Sequence, residues 1–305
     1  MDAVVKRVIE TEIIPHLSPR IKDLLLTVNH KSYNRLEEIR LRCGQPIILR
    51  IGNQDYTLDA RGQVFRDIDK GYQVDNEDIY RTIASISDNS LYAFEDEIKR
   101  GFITISGGHR IGLAGQVIVQ NYDIKIMKDF SSVCIRVARE IKDCSASLIP
   151  ALCPSPSASI LNTLIVSPPR CGKTTILRDL ARLIARGNRY VNARNVVIVD
   201  ERSEIGGCYR GVPQLDVGPR TDVLDSCPKA LGMLMAIRSL SPQVIITDEI
   251  GSKNDIEAIQ ECVNAGVSII SSIHARNLDE LKKRPFVNNL LTMGAFSIGA
   301  MAREV

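Results

Sequence analysis

One stretch constrains this chain more than any other: Ser167-Pro168-Pro169-Arg170-Cys171-Gly172-Lys173-Thr174, set between an apolar run at 161–166 and an amphipathic run at 174–186. The first run reads as a buried strand. The second places Ile176, Leu177, Leu180, Leu183 and Ile184 on one helical face and stops at Gly187. A loop joining strand to helix presents its backbone N–H groups, and those of the helix N-terminus, to anionic oxygens. In such a phosphate loop Gly172 admits close backbone approach, Lys173 neutralises the β- and γ-phosphates, and the Thr174 hydroxyl is a ligand for Mg²⁺. The nucleotide-binding set is therefore Ser167, Pro168, Pro169, Arg170, Cys171, Gly172, Lys173, Thr174 and Thr175. The stretch departs from G-x-x-x-x-G-K-[ST] at one place, where Ser167 stands for the leading glycine.

The residues after the loop repeat the alternation of strand and helix. Apolar runs at 196–199, 244–247 and 267–273 read as strands, and 225–240 and 254–265 read as helices. The first of these helices is expected to be capped by Asp225 or Ser226. Near-continuous apolar strands between helices imply a mostly parallel sheet covered on both faces. Two of the strands end in the same dipeptide, Asp200-Glu201 and Asp248-Glu249. Both pairs fall at the sheet edge that carries the phosphate loop. Phosphoryl transfer needs one carboxylate near Mg²⁺ and another to orient water, and either pair supplies them. The alternative is that one pair only caps its strand. His274 follows the last of these strands. A lone histidine there is more often structural, but its strand is the one expected beside an acid-bearing strand, so it is a candidate γ-phosphate sensor. His16, His30 and His109 show no metal-ligand spacing.

The N-terminal part mixes short strands with helices. Residues 38–42 and 46–51 alternate around a turn at Cys43-Gly44, a hairpin signal. A helix is expected over 75–87, and strands over 102–105, 111–119 and 133–137. The segment from Ser145 to Ser159 is rich in Ser and Pro and reads as a linker or an irregular connection. The expected organisation is an α+β domain over 1–145, a linker over 146–159 and a nucleotide-binding α/β domain over 160–305.

Composition excludes several classes. Of 305 residues 44% are hydrophobic and 25% charged, and the net charge is +3, too small for a broad nucleic-acid-binding footprint. Aromatics are sparse and Trp is absent, so stacking platforms for single-stranded nucleic acid are not expected. The eight cysteines form no C-x-x-C pair, which argues for reduced thiols rather than a zinc site or disulfide framework. Charges interrupt the N-terminus, and no apolar run is long enough to span a bilayer. The expectation is a soluble, cytoplasmic chain that meets a membrane only through a partner.

The combination of SPPRCGKTTILRDLAR, VVIVDERSEI, GVPQLDVGPRTDVLDSCPKA, IRSLSPQVIITDEIG and NAGVSIISSIHA closely resembles a sporulation-associated branch of the type II/type IV secretion ATPase superfamily. EEIRLRCGQPI and GGHRIGLAGQ extend the resemblance into the N-terminal part. It implies a RecA-like P-loop NTPase domain behind a smaller α+β domain, with ATP and Mg²⁺ as ligands. It implies that Glu249 is the hydrolytic glutamate and that Asp248 lies near Mg²⁺. Asp200 and Glu201 would assist at the metal, and His274 would match the family's conserved histidine. It further implies a ring hexamer in which an N-terminal arginine, Arg136 first and Arg110 second, reaches a neighbour's site. The motor would dock on an integral membrane protein of a channel between mother cell and forespore, with a hinge at 155–159. Departures are Ser167, Val267 where many relatives carry a further histidine, and a C-terminal end, GAFSIGAMAREV, without a clear closing strand. The competing class is a P-loop ATPase associated with single-stranded nucleic acid; the chain shows no appended binding module for it.

Overall fold

The computed structural model describes residues 7–28, 33, 35–169, 171–276, 280, 296 and 298–301, and the chain divides into two units, Met1–Arg139 and Glu140–Val305.

After short helical turns over Ile9–His16, the first unit forms helix α1 (Pro19–Leu26), capped by Ser18, whose hydroxyl accepts the Ile21 N–H and donates to Asp78. Strands β1 (Leu36–Arg42), β2 (Ile48–Ile51), β3 (Gln54–Leu58) and β4 (Val64–Phe65) follow. Helix α2 (Asn76–Ile86) carries an Asp75/Asp78 capping box, and α3 (Glu95–Lys99) follows it. Strands β5 (Phe102–Thr104), β6 (Arg110–Gln120) and β7 (Asp123–Arg136) complete an antiparallel sheet in the order β4-β3-β2-β1-β7-β6-β5. The β1–β2 hairpin and the α2 helix lie where the residue pattern places them. Strand β7 is longer than 133–137, because it pairs with β6 out to the Asp123↔Gln120 end. That distal ribbon leaves Val119, Tyr122 and Ile126 exposed, so apolar periodicity against a core could not mark it.

The second unit is an α/β sandwich. Its elements are α4 (Ile149–Leu152), β8 (Thr163–Ser167), α5 (Lys173–Arg186), β9 (Val196–Asp200), β10 (Thr221–Asp225), α6 (Lys229–Ser239), β11 (Val244–Thr247), α7 (Lys253–Asn264), β12 (Ser268–His274) and β13 (Ile298–Met301). The strands pair parallel throughout, in the order β10-β9-β11-β12-β8-β13. Alternate residues serve opposite faces. Ile165, Ile198, Ile246 and Ile270 join Leu177, Leu180 and Ile184 of α5 in one core. Leu164, Val197, Ile245 and Ile269 join Met233 of α6 and Ile259 of α7 in the other. Two covered faces are why the strands read as unbroken apolar runs. Helix α6 approaches β9 closely at Gly232, where a Cβ would lie 2.4 Å from Val199 Cγ1.

Three expectations change here. Residues 221–225 are a strand beside β9, with Asp225 opposite Asp200, so the following helix starts at Lys229 and neither Asp225 nor Ser226 caps it. Ser226 has φ +55 and turns the chain between strand and helix. The Ser/Pro-rich segment is not a free linker: Ile149, Leu152 and Cys153 are buried in the α5-side core. The C-terminal end does supply a closing strand, since β13 pairs with β8 from Ile298↔Thr163 to Met301↔Val166. Its small residues, Gly299 and Ala300, carry no strand signal. No helix among the described residues is long and apolar enough to cross a membrane.

Candidate active site

Strand order places the chemistry. Strand β12 runs beside β8 with His274 opposite Ser167, and β11 runs beside β12 with Thr247 opposite Ser271. The ends of β8, β12 and β11 therefore lie side by side on one edge of the sheet. The loop from Ser167 enters α5 through Gly172, which holds the left-handed φ of +78 that a side chain would strain. Pro168 and Pro169 are exposed, while Cys171, Gly172, Thr174 and Thr175 are half-buried around the helix start. Arg170 lies outside the described residues.

Lys173 turns back into this loop and is only 7% exposed. Its ammonium donates to Pro168 O at 2.7 Å, Ser167 O at 3.0 Å and Ser167 Oγ at 3.3 Å, and it reaches His274 Nδ1 at 2.7 Å. Burial pushes the Lys173 pKa below the ordinary lysine value, against the charges of Cys171 and Glu249. An ammonium has donors only, so Nδ1 of His274 must accept. On the other side of the ring, Nε2 lies 3.2 Å from Glu249 Oε2. Lys173, His274 and Glu249 thus form one line of close contacts along the ends of β8, β12 and β11. Arg202 Nη1 lies 3.8 Å from the same Glu249 oxygen.

A second cluster is centred on Lys229, in the first turn of α6 and 8% exposed. It donates to Glu201 Oε2 and lies 3.7 Å from Asp248 Oδ1. Burial opposes the Lys229 charge, but Glu201 and Asp248 outweigh it and raise its pKa. Asp248 is 6% exposed, and its Oδ1 is buried without a hydrogen-bond partner among the described residues. Burial raises the Asp248 pKa, with Lys229 opposing. A buried carboxylate oxygen with an open lone pair, on the edge that also holds the Thr174 hydroxyl, fits a hard divalent cation that keeps several waters and takes its other ligands from phosphate.

The two Asp-Glu pairs have different surroundings. Asp200 is fully buried, and its carboxylate accepts the N–H groups of Glu204 at 2.9 Å, Ile205 at 2.9 Å and Gly206 at 2.8 Å. Arg178 of α5 holds the same loop from its carbonyl side, donating to Ile205 O at 2.5 Å and Glu204 O at 2.7 Å. Asp200 was expected at the metal; its oxygens are instead committed to the loop at 204–206. Strand spacing agrees, since β9 lies three strands from β8, about 14 Å, whereas β11 lies two away, about 10 Å. Burial raises the Asp200 pKa to about 6, even though the Gly206 and Glu204 N–H groups oppose the shift.

Arg136 and Arg110 belong to the first unit, where they are directly opposite each other on β7 and β6. Glu38 of β1 lies opposite Arg136 on the other side. The Arg110 guanidinium stacks 3.5 Å over the Phe102 ring. The residue pattern missed two side chains that organise the second unit's site, Lys229 and Arg178. Lys229 was visible as a cation opening the otherwise apolar helical stretch KALGMLMAI, and Arg178 as one of three charges set among the apolar residues of ILRDLARLI, a placement that requires a buried partner.

Comparisons with known proteins give the chain's family and fold. The family described as sporulation stage III, protein AA matches residues 8–300. Stage III sporulation protein AA of Bacillus subtilis (strain 168) is 42% identical over 285 residues, covering 93% of this chain and 88% of that protein. Among solved structures, the Legionella pneumophila ATPase DotB superposes with a TM-score of 0.57 at 16% identity, over 92% of this chain and 71% of DotB. The pilus retraction motor PilT, crystallised with bound ADP, superposes with a TM-score of 0.52 at 15% identity, over 83% of this chain and 68% of PilT. The fold is therefore that of the RecA-like secretion ATPases, and the chain belongs to the sporulation stage III protein AA family.

Proposed function

We propose that this chain binds ATP with Mg²⁺ at the 167–175 loop and hydrolyses it, as the motor of a sporulation channel complex between mother cell and forespore. The observation that carries the reading is the line from Lys173 through His274 to Glu249. It joins the cation that would meet the β- and γ-phosphates to the carboxylate that would orient water. Thr174 and Asp248 are the residues that would hold Mg²⁺, which when bound would neutralise charge developing on the phosphate oxygens. Arriving phosphates draw Lys173 away from the loop carbonyls. His274, relieved of the ammonium at Nδ1, keeps Glu249 in place through Nε2–H and can follow a proton change at the γ-phosphate. Glu249 takes the proton of the attacking water. Asp200 and Arg178 keep the 204–206 loop rigid behind this line, and Glu201 is held by Lys229.

DotB and PilT are an ATPase and a retraction motor, and the shared fold supports extending that activity to this chain. On this reading it works as a homo-oligomer, a hexameric ring, in the cytoplasm on the mother-cell side, docked on an integral membrane protein. Arg136 or Arg110 of one subunit would reach the γ-phosphate held by its neighbour. Steady-state phosphate release from the full chain with Mg-ATP tests the chemistry. Lys173→Ala should abolish ATP binding. Glu249→Gln should bind ATP while turning over at least ~100-fold more slowly; near-normal turnover in that variant removes Glu249 as the base. Light scattering with and without Mg-ATP tests the ring, and a strict monomer under both conditions leaves the trans arginine without a role.

A further inference from the structure

Lys229 occupies the place where a charge must sit if two carboxylates are to share one end of the sheet. Glu201 leaves β9 and Asp248 leaves β11, neighbouring parallel strands. Like charges so placed repel, and burial at Asp248 deepens the cost. One ammonium answers both: it bonds Glu201 and stands 3.7 Å from the Asp248 oxygen that otherwise has no hydrogen-bond partner among the described residues. Its stem is fixed by the first turn of α6, and the side chain is 9% exposed.

We propose that Lys229 is a built-in counter-ion that keeps Asp248 from binding a divalent cation until nucleotide brings the phosphates that outweigh it. The inference rests on the Mg-ATP reading of the site. Without nucleotide, a divalent ion approaching Asp248 Oδ1 meets a fixed positive charge within a few ångströms. With the triphosphate in the loop, the added negative charge reverses that balance, so metal and nucleotide enter together. The loop is thereby protected from a metal-loaded, nucleotide-free state.

The test is Mn²⁺ binding to the full chain, read by the electron paramagnetic resonance signal of free Mn²⁺, with and without a non-hydrolysable ATP analogue. In the absence of nucleotide, Lys229→Met should bind Mn²⁺ at least tenfold more tightly than the parent, and Lys229→Arg should bind as weakly as the parent. Adding Asp248→Asn to Lys229→Met should return Mn²⁺ binding to the parent level. With the analogue present, parent and Lys229→Met should differ less than they do without it. Equal nucleotide-free Mn²⁺ affinity in parent and Lys229→Met overturns the proposal, as does a gain that survives Asp248→Asn. Where Lys229→Met fails to fold, Lys229→Gln is read in the same way. A parent that binds no analogue at all refutes the Mg-ATP reading instead, and the Mn²⁺-only comparison still reports on Lys229.

Discussion

Replacing Asp200 with alanine separates a loop anchor from a metal ligand, and the structure sets the size and the sign of the effect. The substitution leaves three backbone N–H groups, of Glu204, Ile205 and Gly206, without their acceptor. Each orphaned donor costs about 1–2 kcal/mol, or about 3–6 kcal/mol together. Part of this is offset, because the variant no longer buries a charge. The Asp200 pKa of about 6, against the ordinary 3.8, corresponds to about 3 kcal/mol opposing the ionised form at pH 7. The net loss is then about 0–3 kcal/mol at pH 7. The pH dependence follows from the sign of the shift. Between pH 3.8 and about 6 the folded chain holds a proton that the unfolded chain has released. The stability contributed by Asp200 is therefore fullest below 3.8 and declines as pH rises through that window. The variant should lose about 1 kcal/mol more at pH 5 than at pH 7. Urea unfolding of parent and variant at both pH values, free of metal and nucleotide, measures this, because the comparison cancels every other titration. Limited proteolysis should cut Asp200→Ala faster within 201–206. Equal stability of the two proteins at both pH values would refute the anchor role, and a loss of Mn²⁺ binding with stability intact would restore Asp200 to the metal.

Two further outcomes are expected. Asp179 accepts the N–H of Asp143, the N–H and hydroxyl of Ser145, and the Arg182 guanidinium. Burial opposes its charge, but Ser145 and Arg182 outweigh it and hold the pKa below 3.8. Asp179→Ala should cost about 3 kcal/mol at neutral pH, a cost that fades in urea titrations only as pH falls through that depressed value. Ser167→Gly removes the Oγ contact to Lys173 while keeping the backbone one, a hydrogen bond of about 0.5–1.5 kcal/mol net. Calorimetric titration should show ATP binding tightened by roughly two- to tenfold; weaker binding would mean that the hydroxyl helps the nucleotide rather than competing with it.

The α/β architecture was legible because both faces of the second sheet are covered. Runs such as 196–199 and 244–247 have no polar alternation to confuse them with surface strands, and the phosphate loop fixed which strand leads into α5. Strand β10 was not legible, since its TDVLD sequence alternates charge at the sheet margin and resembles a helix start. The candidate residues His274, Asp248 and Glu249 were visible from their positions at or just after strand ends, and Lys173 from its place at the start of α5. What separated Asp248 from Asp200 was not visible, because both dipeptides follow short, largely apolar strands, VVIV and VIIT. The distinction lies in the next residues. After Asp200 the chain curls back and offers N–H groups from 204 to 206. After Asp248 it continues to Ile250, whose N–H bonds Ser272 O instead. Lys229 and Arg178 gave only the signal of a cation in a largely buried helix, and their partners, Glu201 and Asp248 for one and the Glu204 and Ile205 carbonyls for the other, come from segments distant in sequence.

The clasp on Lys173 bears on what a nucleotide affinity in this protein measures. Four protein acceptors already surround the ammonium: the Ser167 and Pro168 carbonyls, the Ser167 hydroxyl and the His274 ring. A phosphate therefore trades places with them rather than filling a vacant charge. The measured affinity is a difference between two sets of bonds to one cation, and most of the gross attraction cancels. Ser167, which departs from the usual glycine, strengthens the resting side of that exchange. Release is correspondingly aided, because the lysine has a ready set of partners to return to when the phosphates leave. On the proposed motor reading, the resting set shortens the wait for an empty site as much as it weakens the grip on a full one.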